Sequence, residues 1–212
     1  MTLRGLYAIT PDDADSARLE ARVRTLLAAA TDGCAALQYR NKTASPALRL
    51  EQAQRLAALA RAGDVPFIVN DDIELAIAVG SDGVHLGRDD GELRAARRKL
   101  PGMLLGVSCY DSFAAAQAAV AAGADYVAFG SVFPSGTKPG AVCAPLELFA
   151  RASTLGVSLV AIGGITLENA ASVLHAGADA LAVISALFDA PDIASRAREF
   201  ARLFAAKPRA AA

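Results

Sequence analysis

The sequence predicts an α/β protein folded as a (βα)8 barrel, the TIM-barrel class. Short apolar runs alternate with longer segments of helical spacing along the whole chain, and this alternation is typical of a parallel sheet covered by helices. There are eight such runs, which favours a closed barrel over an open sheet. The open doubly wound sheet is the weaker alternative, because no Gly-x-Gly-x-x-Gly motif follows the first run. No break in composition divides residues 1–212, so a single barrel domain is expected.

The predicted strands are short and apolar, and the segments between them carry Ala, Leu, Arg and Glu at helical spacing. In chain order the strands are Leu6–Thr10, Ala35–Arg40, Pro66–Asn70, Gly83–Gly87, Leu104–Cys109, Tyr126–Gly130, Ser158–Gly164 and Ala180–Ser185. The clearest helical segments are Ala17–Ala30, Pro46–Ala62 and Ser112–Ala122. Glycine tolerates the left-handed conformation that closes a helix, so glycines shortly before strands are predicted helix ends. These glycines are Gly33, Gly63, Gly80, Gly123, Gly156 and Gly177.

The composition argues against several classes of protein. Of the 212 residues, 54% are hydrophobic and 20% are charged, which is too apolar for a disordered chain. The formal net charge is −1, whereas a nucleic-acid binder needs a basic surface, so no nucleic-acid partner is expected. No apolar stretch reaches the length of a membrane span, and the first residues lack the architecture of a signal peptide. Three cysteines without metal-site spacing indicate reduced thiols and a cytoplasmic location.

Polar side chains are concentrated where the predicted strands end, the edge that carries the active site in barrels of this class. The second strand ends in Gln38 and Arg40, and Lys42 follows in the loop. Side chains alternate along a strand, so Gln38 and Arg40 share a face. With Lys42 they would suit an anionic ligand that also forms hydrogen bonds. The alternative is a solvated strand end held by a salt bridge.

Carboxylates follow the third and fourth strands. Asp71 and Asp72 follow the third strand, and Asp89 and Asp90 follow the fourth. Mg²⁺ prefers one or two carboxylates together with waters and the phosphate oxygens of a substrate, so aspartates at the ends of two adjacent strands predict a Mg²⁺ ion. The alternative for Asp71 is the N-cap of the next helix, with Glu74 three residues later as the capping-box partner.

The two histidines are expected to be structural. His85 lies inside the fourth strand and is predicted to be a hydrogen-bonded residue of the barrel core rather than a catalytic base. His175 is predicted near a helix end. These positions argue against a histidine-based metal site or a Ser-His triad. Ser108 ends the fifth strand and can donate a hydrogen bond to a ligand, and no base that would activate it as a nucleophile lies near it in the sequence.

Two loops suit phosphate groups. The loops after the seventh and eighth strands form the usual phosphate site of these barrels, and here they carry Gly164 and Ser185. Glycine lets the backbone approach an anion. A tight turn is the alternative for Gly163–Gly164, but their position after the seventh strand favours phosphate binding. Residues 130–140 form a long loop rich in Gly, Pro and Ser with Lys138 near its tip, which suits a phosphorylated ligand. A mobile, solvated loop is the alternative.

Together these segments resemble thiamine phosphate synthase, in the order and at the spacing of that family. The matching segments are Gln38–Lys42, Val69–Asp72, Gly83–Gly87, Gly106–Ser108, Pro134–Lys138 and Val160–Ile165, and the pattern extends from about Leu6 to Phe204. The family joins a pyrimidine diphosphate (4-amino-2-methyl-5-diphosphooxymethylpyrimidine) to a thiazole phosphate (4-methyl-5-(2-phosphooxyethyl)thiazole or its carboxylated form). The products are thiamine phosphate and pyrophosphate. The resemblance therefore implies a Mg²⁺-assisted transferase of thiamine biosynthesis that acts on two phosphorylated small molecules.

The resemblance also implies the roles of individual residues. The pyrimidine diphosphate would be held by Gln38, Arg40, Lys42, Asn70, Ser108 and Lys138, with Tyr39, Asn41 and Gly136 completing the substrate-binding set. The thiazole phosphate would be held by Ser135, Thr137, Gly164, Ile184 and Ser185. Asp71 and Asp90 would bind Mg²⁺, and the catalytic set would be Arg40, Lys42, Ser108 and Lys138. The chain departs from the family pattern at Asn41, Arg88 and Ser135, where the family usually has Glu, Gln and Thr.

In the family mechanism pyrophosphate leaves first, and the thiazole nitrogen then attacks the pyrimidine-stabilised cation. The loop Ser131–Ala144 is expected to act as a lid that excludes water from this cation. Two alternatives stay open. A related thiazole tautomerase shares the barrel but does not use the pyrimidine diphosphate and need not retain the Mg²⁺ aspartates. This chain has Asp71 and Asp90 and has no histidine at the end of the fifth strand to transfer a proton, which favours the synthase. A non-catalytic barrel that binds thiamine precursors would not need a charge-neutralising set. The sequence does not give the oligomeric state, for which a homodimer is the working hypothesis.

Overall fold

The computed structural model describes residues 2–30, 33–87, 92–134 and 143–205. In these ranges eight parallel strands form a closed barrel in chain order, which confirms the predicted fold class. The strands are β1 Gly5–Ile9, β2 Cys34–Tyr39, β3 Phe67–Asn70, β4 Gly83–Leu86, β5 Leu104–Tyr110, β6 Tyr126–Phe129, β7 Ser158–Ile162 and β8 Ala180–Val183. β8 pairs with β1 and so closes the barrel. Every predicted strand lies within two residues of an observed one at each end.

Helices lie between successive strands, and two more follow β8. They are α1 Ser16–Ala29, α2 Pro46–Ala62, α3 Ile73–Val79, α4 Leu93–Lys99, α5 Phe113–Ala121, α6 Glu147–Ala152, α7 Leu167–His175, α8 Ser185–Phe188 and α9 Ile193–Ala205, with a 3₁₀ turn at Ser153–Leu155. Side chains at their starts satisfy exposed amides: Asp15 accepts a hydrogen bond from the amide of Arg18, and Ser45 accepts one from the amide of Leu48. Among the described residues, no helix combines the length and apolar character needed to cross a membrane.

Alternation along the strands divides the apolar side chains between two cores. One core lies between the barrel and the helices and includes Leu37 and Val127. The other fills the barrel itself and includes Tyr7, Ile68 and Tyr126. Inside the barrel, short side chains such as that of Ala182 line the upper end of the strands. The interior is therefore packed at its base and open at the carboxyl ends of the strands.

The base of the barrel carries a contact that occurs three times. An aspartate directly precedes β4, β6 and β8, in each case as the last residue of a Gly-(Ala/Ser)-Asp sequence. Its backbone amide donates to the carbonyl of a residue on the preceding strand, and its carboxylate accepts from the amide of that same residue. The pairs are Asp82 with Phe67, Asp125 with Leu105 and Asp179 with Leu159, and all six hydrogen bonds measure 2.8–2.9 Å. Each aspartate therefore clamps the starts of two neighbouring strands.

The helix α9 packs on α1 and covers the place where the barrel closes. Phe200 of α9 is fully buried, and the guanidinium of Arg22 on α1 donates to the carbonyl of Phe188. Gly33, just before β2, lies against α9, because a Cβ atom there would be 2.4 Å from the Cβ of Ala201. Glycine at this position is therefore required by the close approach of α9.

Candidate active site

The barrel opens at the carboxyl ends of its strands into a cavity of about 540 Å³, a size that suits small-molecule ligands. Residues of all eight strands contribute to its wall. The predicted site residues that line it are Gln38, Arg40, Lys42, Asn70, Asp71, Ser108, Gly164, Ile184 and Ser185. The predicted pyrimidine-diphosphate residues come from β2, β3 and β5, and the predicted thiazole-phosphate residues come from the ends of β7 and β8. One cavity therefore joins the two predicted anion sites.

Tyr39 and Asn41 do not line the cavity, which corrects the expectation for both. Tyr39 points to the outer face of β2, because side chains alternate along the strand; it is buried there, and its hydroxyl donates to Gln52 Oε1 at 2.9 Å. Asn41 is also buried, and its Nδ2 donates to the carbonyl of Asp13 at 2.8 Å and to Gln52 Oε1 at 3.0 Å. Asn41 links the loops after β1 and β2, and Tyr39 holds Gln52 on α2, so we leave both out of the proposed binding set.

Several predicted residues lie outside the described part of the chain. These are Arg88, Asp90, Ser135, Gly136, Thr137 and Lys138. The first residues of the loop after β6 are described, and they pack on the end of β7: the amide of Val132 donates to the carbonyl of Ile162 at 2.9 Å, and that of Phe133 donates to Gly163 at 3.1 Å. The start of the predicted lid is therefore fixed beside the cavity.

The cations at the rim are paired with carboxylates. Arg40 Nη1 lies 3.1 Å from Asp12 Oδ1, and the same oxygen accepts the backbone amide of Lys42 at 2.8 Å. Lys42 Nζ lies 3.3 Å from Asp71 Oδ2, with about half of the lysine side chain exposed. These contacts are the salt bridges that the sequence offered as the alternative to ligand binding. They also place the basic groups at the cavity, where an anion could replace the carboxylates as partner.

The loop that carries Asp12 is held by its neighbour Asp13. The Asp13 carboxylate is buried and accepts hydrogen bonds from Nε and Nη2 of Arg18 at 2.9 and 2.6 Å, and from the amide of Asp15 at 2.8 Å. The hydrogen bond from Arg18 lowers the pKa of the Asp13 carboxyl, and the charge of Arg22 adds to this effect although burial opposes it. Asp13 therefore stays ionised and anchors the loop after β1.

Asp71 lines the cavity, whereas the next residue, Asp72, caps the helix α3. The sequence offered Asp71 as a possible N-cap, but Asp72 has this role: its Oδ1 accepts the amide of Leu75 at 2.9 Å. The backbone of Asp71 has φ of +62°, in the left-handed region that Asp tolerates better than most residues. Its amide donates to the carbonyl of His85 on β4 at 2.8 Å. This unusual conformation separates the side chain of Asp71 from the capping residue and directs it to the ligand side.

The residues around Asp71 fit a Mg²⁺ ion that is completed by substrate. Within the described ranges, no group of three or more His, Cys, Asp or Glu side chains could hold a metal by protein ligands alone. Mg²⁺ commonly takes only one or two carboxylates and fills its other positions with water and substrate phosphates. The carboxylate of Asp71 and the amide oxygen of Asn70 at the rim are oxygen donors of that kind, although Lys42 pairs with Asp71 here. A diphosphate in the cavity would supply the remaining oxygens.

The glycine pair after β7 is required by loop packing. Gly163 and Gly164 have φ of +100° and +63°. A Cβ on Gly164 would lie 2.4 Å from the carbonyl oxygen of Pro134, and one on Gly163 would lie 2.0 Å from Ser131 Oγ. The pair thus lets the loops after β6 and β7 touch, and Gly164 also lines the cavity. Close packing and anion binding are both compatible with these glycines.

Polar side chains from five strands form a continuous hydrogen-bonded chain at the bottom of the cavity. Gln38 Nε2 donates to the hydroxyl of Tyr7 at 2.9 Å, and that hydroxyl lies 2.6 Å from the hydroxyl of Tyr126. The Tyr126 hydroxyl lies 3.1 Å from Nδ1 of His85, and Nε2 of His85 lies 2.9 Å from Ser108 Oγ. His85 is therefore the hydrogen-bonded core histidine that was predicted.

The same contact places an imidazole beside Ser108, although no base lies near Ser108 in the sequence. The imidazole of His85 is close in space although it is distant in sequence, because β4 and β5 are neighbouring strands. The two tyrosines were not identified from the sequence. Burial raises the pKa of both the Tyr7 and the Tyr126 hydroxyl well above the ordinary value, so both phenols keep their protons. Period-two alternation does place Tyr7 on the same strand face as Ile9, the inner face.

Comparison with known proteins identifies the group of proteins that this chain resembles. The family model described as thiamine monophosphate synthase matches residues 6–187. The thiamine-phosphate synthase of Aromatoleum aromaticum is 59% identical over 204 residues, which cover 95% of this chain and 97% of that protein. The thiamine-phosphate synthase of Chromobacterium violaceum is 56% identical over 206 residues, which cover 97% and 98%.

Solved structures agree with these relatives. The structure of a thiamine phosphate pyrophosphorylase from Pyrococcus furiosus is 34% identical, with a TM-score of 0.84 and coverage of 96% of both chains. The structure of a thiamine phosphate pyrophosphorylase from Bacteroides thetaiotaomicron is only 14% identical, with a TM-score of 0.69 over 94% of this chain and 96% of that one. The second likeness supports the barrel fold alone.

Proposed function

Because the chain belongs to the thiamine monophosphate synthase family and is a transferase, we propose that its cavity joins the pyrimidine diphosphate to the thiazole phosphate and releases pyrophosphate. The observation that carries the proposal is the shared cavity. It brings Arg40, Lys42 and Asp71 on one side into the same space as Gly164 and Ser185 on the other. Two phosphorylated substrates need two such groups of residues in one space.

The pyrimidine diphosphate is assigned to the side of the cavity formed by β2, β3 and β5. Arg40 and Lys42 would exchange their carboxylate partners for the oxygens of the diphosphate, and Lys138 is proposed to join them from the loop after β6. Gln38, Asn70 and Ser108 supply hydrogen bonds for the pyrimidine ring and the diphosphate. The positive groups stabilise the negative charge that develops on the leaving diphosphate in the transition state.

The thiazole phosphate is assigned to the ends of β7 and β8. Gly164, Ile184 and Ser185 line this part of the cavity, and Ser135, Gly136 and Thr137 are proposed to complete it. Ser185 begins α8, and Ile184 precedes it. This placement holds the thiazole ring beside the pyrimidine, so that its nitrogen can reach the reacting methylene carbon.

The reaction exchanges one bond for another. The bond between the methylene carbon and the diphosphate oxygen breaks, and its electron pair leaves with pyrophosphate. The lone pair of the thiazole nitrogen then forms the new carbon–nitrogen bond, and no proton has to be transferred. The task of the protein is to bind both substrates, to neutralise the leaving group and to keep water from the cation, and we assign the last role to the loop Ser131–Ala144.

Mg²⁺ is proposed as the metal partner of the diphosphate, held by Asp71 and Asp90. When bound, the ion would neutralise part of the charge on the leaving group. The single chain is proposed to act as one catalytic domain. Location in the cytoplasm, assembly as a homodimer and the absence of a nucleic-acid partner stay predictions.

Pyrophosphate release tests the proposed function. The purified protein is incubated with the pyrimidine diphosphate, the thiazole phosphate or both, with and without Mg²⁺, and pyrophosphate and thiamine phosphate are measured. We expect both products in equal amounts only when both substrates and the metal are present. Isomerisation of the thiazole without pyrophosphate would support a tautomerase instead. Binding without turnover would support a non-catalytic barrel, and either result overturns the proposal.

A charge-removing variant tests the site within the same assay. Arg40→Gln should lower kcat/KM about 100-fold or more, because a charged hydrogen bond to the leaving group is lost. Arg55→Gln is the matched control, since Arg55 lies on α2 and pairs with Glu20 and Glu51 far from the cavity lining. The control should keep the wild-type rate. Equal rates in both variants would remove Arg40 from the site.

A further inference from the structure

We propose that Tyr7, Tyr126 and His85 form a one-way hydrogen-bond relay beneath the cavity, and that this relay fixes which hydrogen-bonding groups Gln38 and Ser108 present to the pyrimidine ring. In this relay each group donates to the next, from Gln38 at one end to Ser108 at the other. Tyr7, Tyr126 and His85 are thus positioning residues. The inference rests on the proposed function for its ligand, although the relay itself can be tested without any substrate.

The direction of the relay is set at the amide end. Nε2 of Gln38 can only donate, so the hydroxyl oxygen of Tyr7, 2.9 Å away, must accept from it. Either hydroxyl could donate across the 2.6 Å contact between Tyr7 and Tyr126. Among the described residues the Tyr126 oxygen is the one acceptor within reach of the Tyr7 proton, so the relay assigns this donation to Tyr7. An amide that donates to Tyr7 necessarily leaves its carbonyl oxygen, Oε1, to face other groups. Because Gln38 lines the cavity, that oxygen is the side-chain acceptor that Gln38 can offer to a ligand.

The direction continues through the histidine. Tyr126 accepts from Tyr7 and so has its own proton for Nδ1 of His85, 3.1 Å away. A ring nitrogen that accepts carries no proton, so the proton of His85 is on Nε2, which donates to Ser108 Oγ at 2.9 Å. Ser108 therefore accepts from the protein and keeps its hydroxyl proton for the cavity. The reverse direction would instead use the serine proton inside the protein.

Two features of the fold hold this relay in place: both tyrosines are buried, and a glycine at position 106 leaves room for the ring of Tyr126. Tyr7 and Tyr126 are 1% and 0% exposed, so no bulk water competes for their hydroxyls. Tyr126 can cross the barrel interior because β5 has glycine opposite it: a Cβ on Gly106 would lie 1.9 Å from Cζ of the Tyr126 ring. Its ring also stacks on that of His85, at 5.6 Å between centroids.

A relay of this direction selects one pattern of donors and acceptors on the ring. It offers an acceptor, Gln38 Oε1, and a donor, the hydroxyl of Ser108. An aminopyrimidine offers the complementary pair, an amino donor and an unprotonated ring nitrogen. In the corresponding oxo-pyrimidine the oxygen accepts, so the contact with Gln38 is mismatched. The nitrogen next to the oxo carbon carries a proton, so a contact of Ser108 with that nitrogen is mismatched as well. The structure thus assigns the preference for an amino substituent to residues that lie beneath the ligand.

The tautomer of His85 tests the relay directly. In ¹⁵N-labelled protein, two-bond proton–nitrogen correlation spectra show which ring nitrogen carries the proton. The chain has only two histidines, so a His175→Gln variant assigns the signals. We expect His85 to be protonated on Nε2 alone in the substrate-free protein. A proton on Nδ1 alone would show the reverse direction, and protons on both nitrogens would show no relay, so either result overturns the proposal.

Three tyrosine variants, each losing one oxygen atom, separate the parts of the relay. Tyr126→Phe removes the donor to Nδ1, so the single tautomer should give way to a mixture. Tyr7→Phe should keep the tautomer, because Tyr126 can still donate to His85. Tyr39→Phe is the matched control: Tyr39 is an equally buried tyrosine that donates to Gln52 outside the barrel, and its loss should leave His85 unchanged. An unchanged single tautomer in Tyr126→Phe would contradict the proposal.

Ligand selectivity gives the second readout. Calorimetry compares two probes without phosphate, 4-amino-5-hydroxymethyl-2-methylpyrimidine and its 4-oxo analogue. Wild-type protein and Tyr39→Phe should prefer the amino probe about tenfold or more, which corresponds to about 1.4 kcal/mol. Tyr7→Phe and Tyr126→Phe should lose most of that preference. Equal selectivity in all four proteins would overturn the positioning role. The spectra need no turnover, so failure of the relay is distinguishable from failure of the proposed reaction.

Discussion

At the scale of single residues, the site combines groups that the sequence reveals with groups that it hides. Arg40, Lys42 and Asp71 were predicted because polar side chains at the ends of parallel strands meet at one edge. Tyr7 and Tyr126 were not identified, since each lies within a strand among apolar residues. The 2.6 Å contact between their hydroxyls depends on β1 and β6 facing each other across the barrel. Such a contact between distant segments has no local sequence signal.

Tyr39 shows how a motif can mislead. The family resemblance places it in the substrate-binding set together with its neighbours Gln38 and Arg40, which both line the cavity. The alternation of side chains along β2 already indicated that it points the other way. Its hydroxyl bonds with Gln52 on α2, and burial raises its pKa to about 12. At single positions the period of the strand is therefore a better guide than proximity in sequence.

Asp71→Asn tests the proposed Mg²⁺ ligand. Asn tolerates the positive φ of this position, so the fold should be kept, while the loss of a negative ligand should weaken metal binding. We expect the Mg²⁺ concentration for half-maximal rate to rise about tenfold or more and turnover to fall. The measurement is a titration of the rate with Mg²⁺ at saturating substrates. An unchanged titration would remove Asp71 from the metal site.

Asp72→Asn is the matched control for that experiment. It removes one negative charge at the next residue, and Asn is as good an N-cap as Asp, so α3 should be kept. Asp72 does not belong to the cavity lining. The control should therefore show the wild-type dependence on Mg²⁺. A similar shift in both variants would mean that the general charge of this loop, rather than ligation, determines metal affinity.

Asp13→Asn tests the anchor of the loop after β1. The pKa of Asp13 is lowered in the folded protein, chiefly by the hydrogen bond from Arg18, so its ionised form stabilises the fold above the unfolded pKa of about 4. That contribution disappears as the pH falls through the lowered folded pKa. The variant should lose about 1–2 kcal/mol at pH 7, and the gap to wild type should narrow below about pH 4. Denaturant unfolding at several pH values measures this.

The nearby Asp15→Asn variant controls for the loss of charge. Asp15 caps α1, and Asn caps equally well, so its unfolding free energy should stay close to the wild-type value across the same pH range. A constant gap between Asp13→Asn and wild type down to acid pH would contradict the assignment of the pKa shift to Asp13.

At the scale of the elements, the fold follows closely from local patterns. The strands and the clearest helices match their predicted ranges to within two residues, because each short apolar run and each glycine stop has a local physical cause. The Gly-(Ala/Ser)-Asp repeat before β4, β6 and β8 was visible in the sequence but was not interpreted. The structural role of this repeat depends on the backbone amide that donates to each carboxylate. That amide belongs to the preceding strand, up to 20 residues away, so the repeat alone does not reveal it.

Asp125→Ala tests this strand clamp. The variant leaves the amide of Leu105 without its side-chain acceptor at the start of β5, so we expect a loss of about 1–3 kcal/mol in unfolding free energy. Asp189→Ala is the comparison, because that carboxylate is 70% exposed and lies 3.9 Å from Arg22. It should cost less than about 1 kcal/mol. Equal losses would show that the clamp adds nothing to an ordinary surface charge.

At the scale of the whole molecule, the barrel class was predictable and the contents of its cavity were only partly so. Eight alternating units leave few other ways to bury their apolar faces. Whether a polar residue faces the cavity depends on register around the closed barrel, as Asn41 shows by turning to Asp13 and Gln52. Family membership then identifies the chain as a transferase.

The described rim carries two ion pairs, Arg40 with Asp12 and Lys42 with Asp71, and these pairs determine the electrostatic field that an approaching anion experiences there. From beyond a Debye length these pairs are dipoles rather than bare charges, and the whole chain carries a net charge of only −1. Long-range steering of the substrates should therefore be weak. With free Mg²⁺ held constant, kcat/KM for the pyrimidine diphosphate should change less than about threefold between low and physiological ionic strength, and a tenfold fall would indicate a strongly attracting field. Encounter then depends on ordinary diffusion, and recognition begins only when an arriving diphosphate displaces the carboxylates.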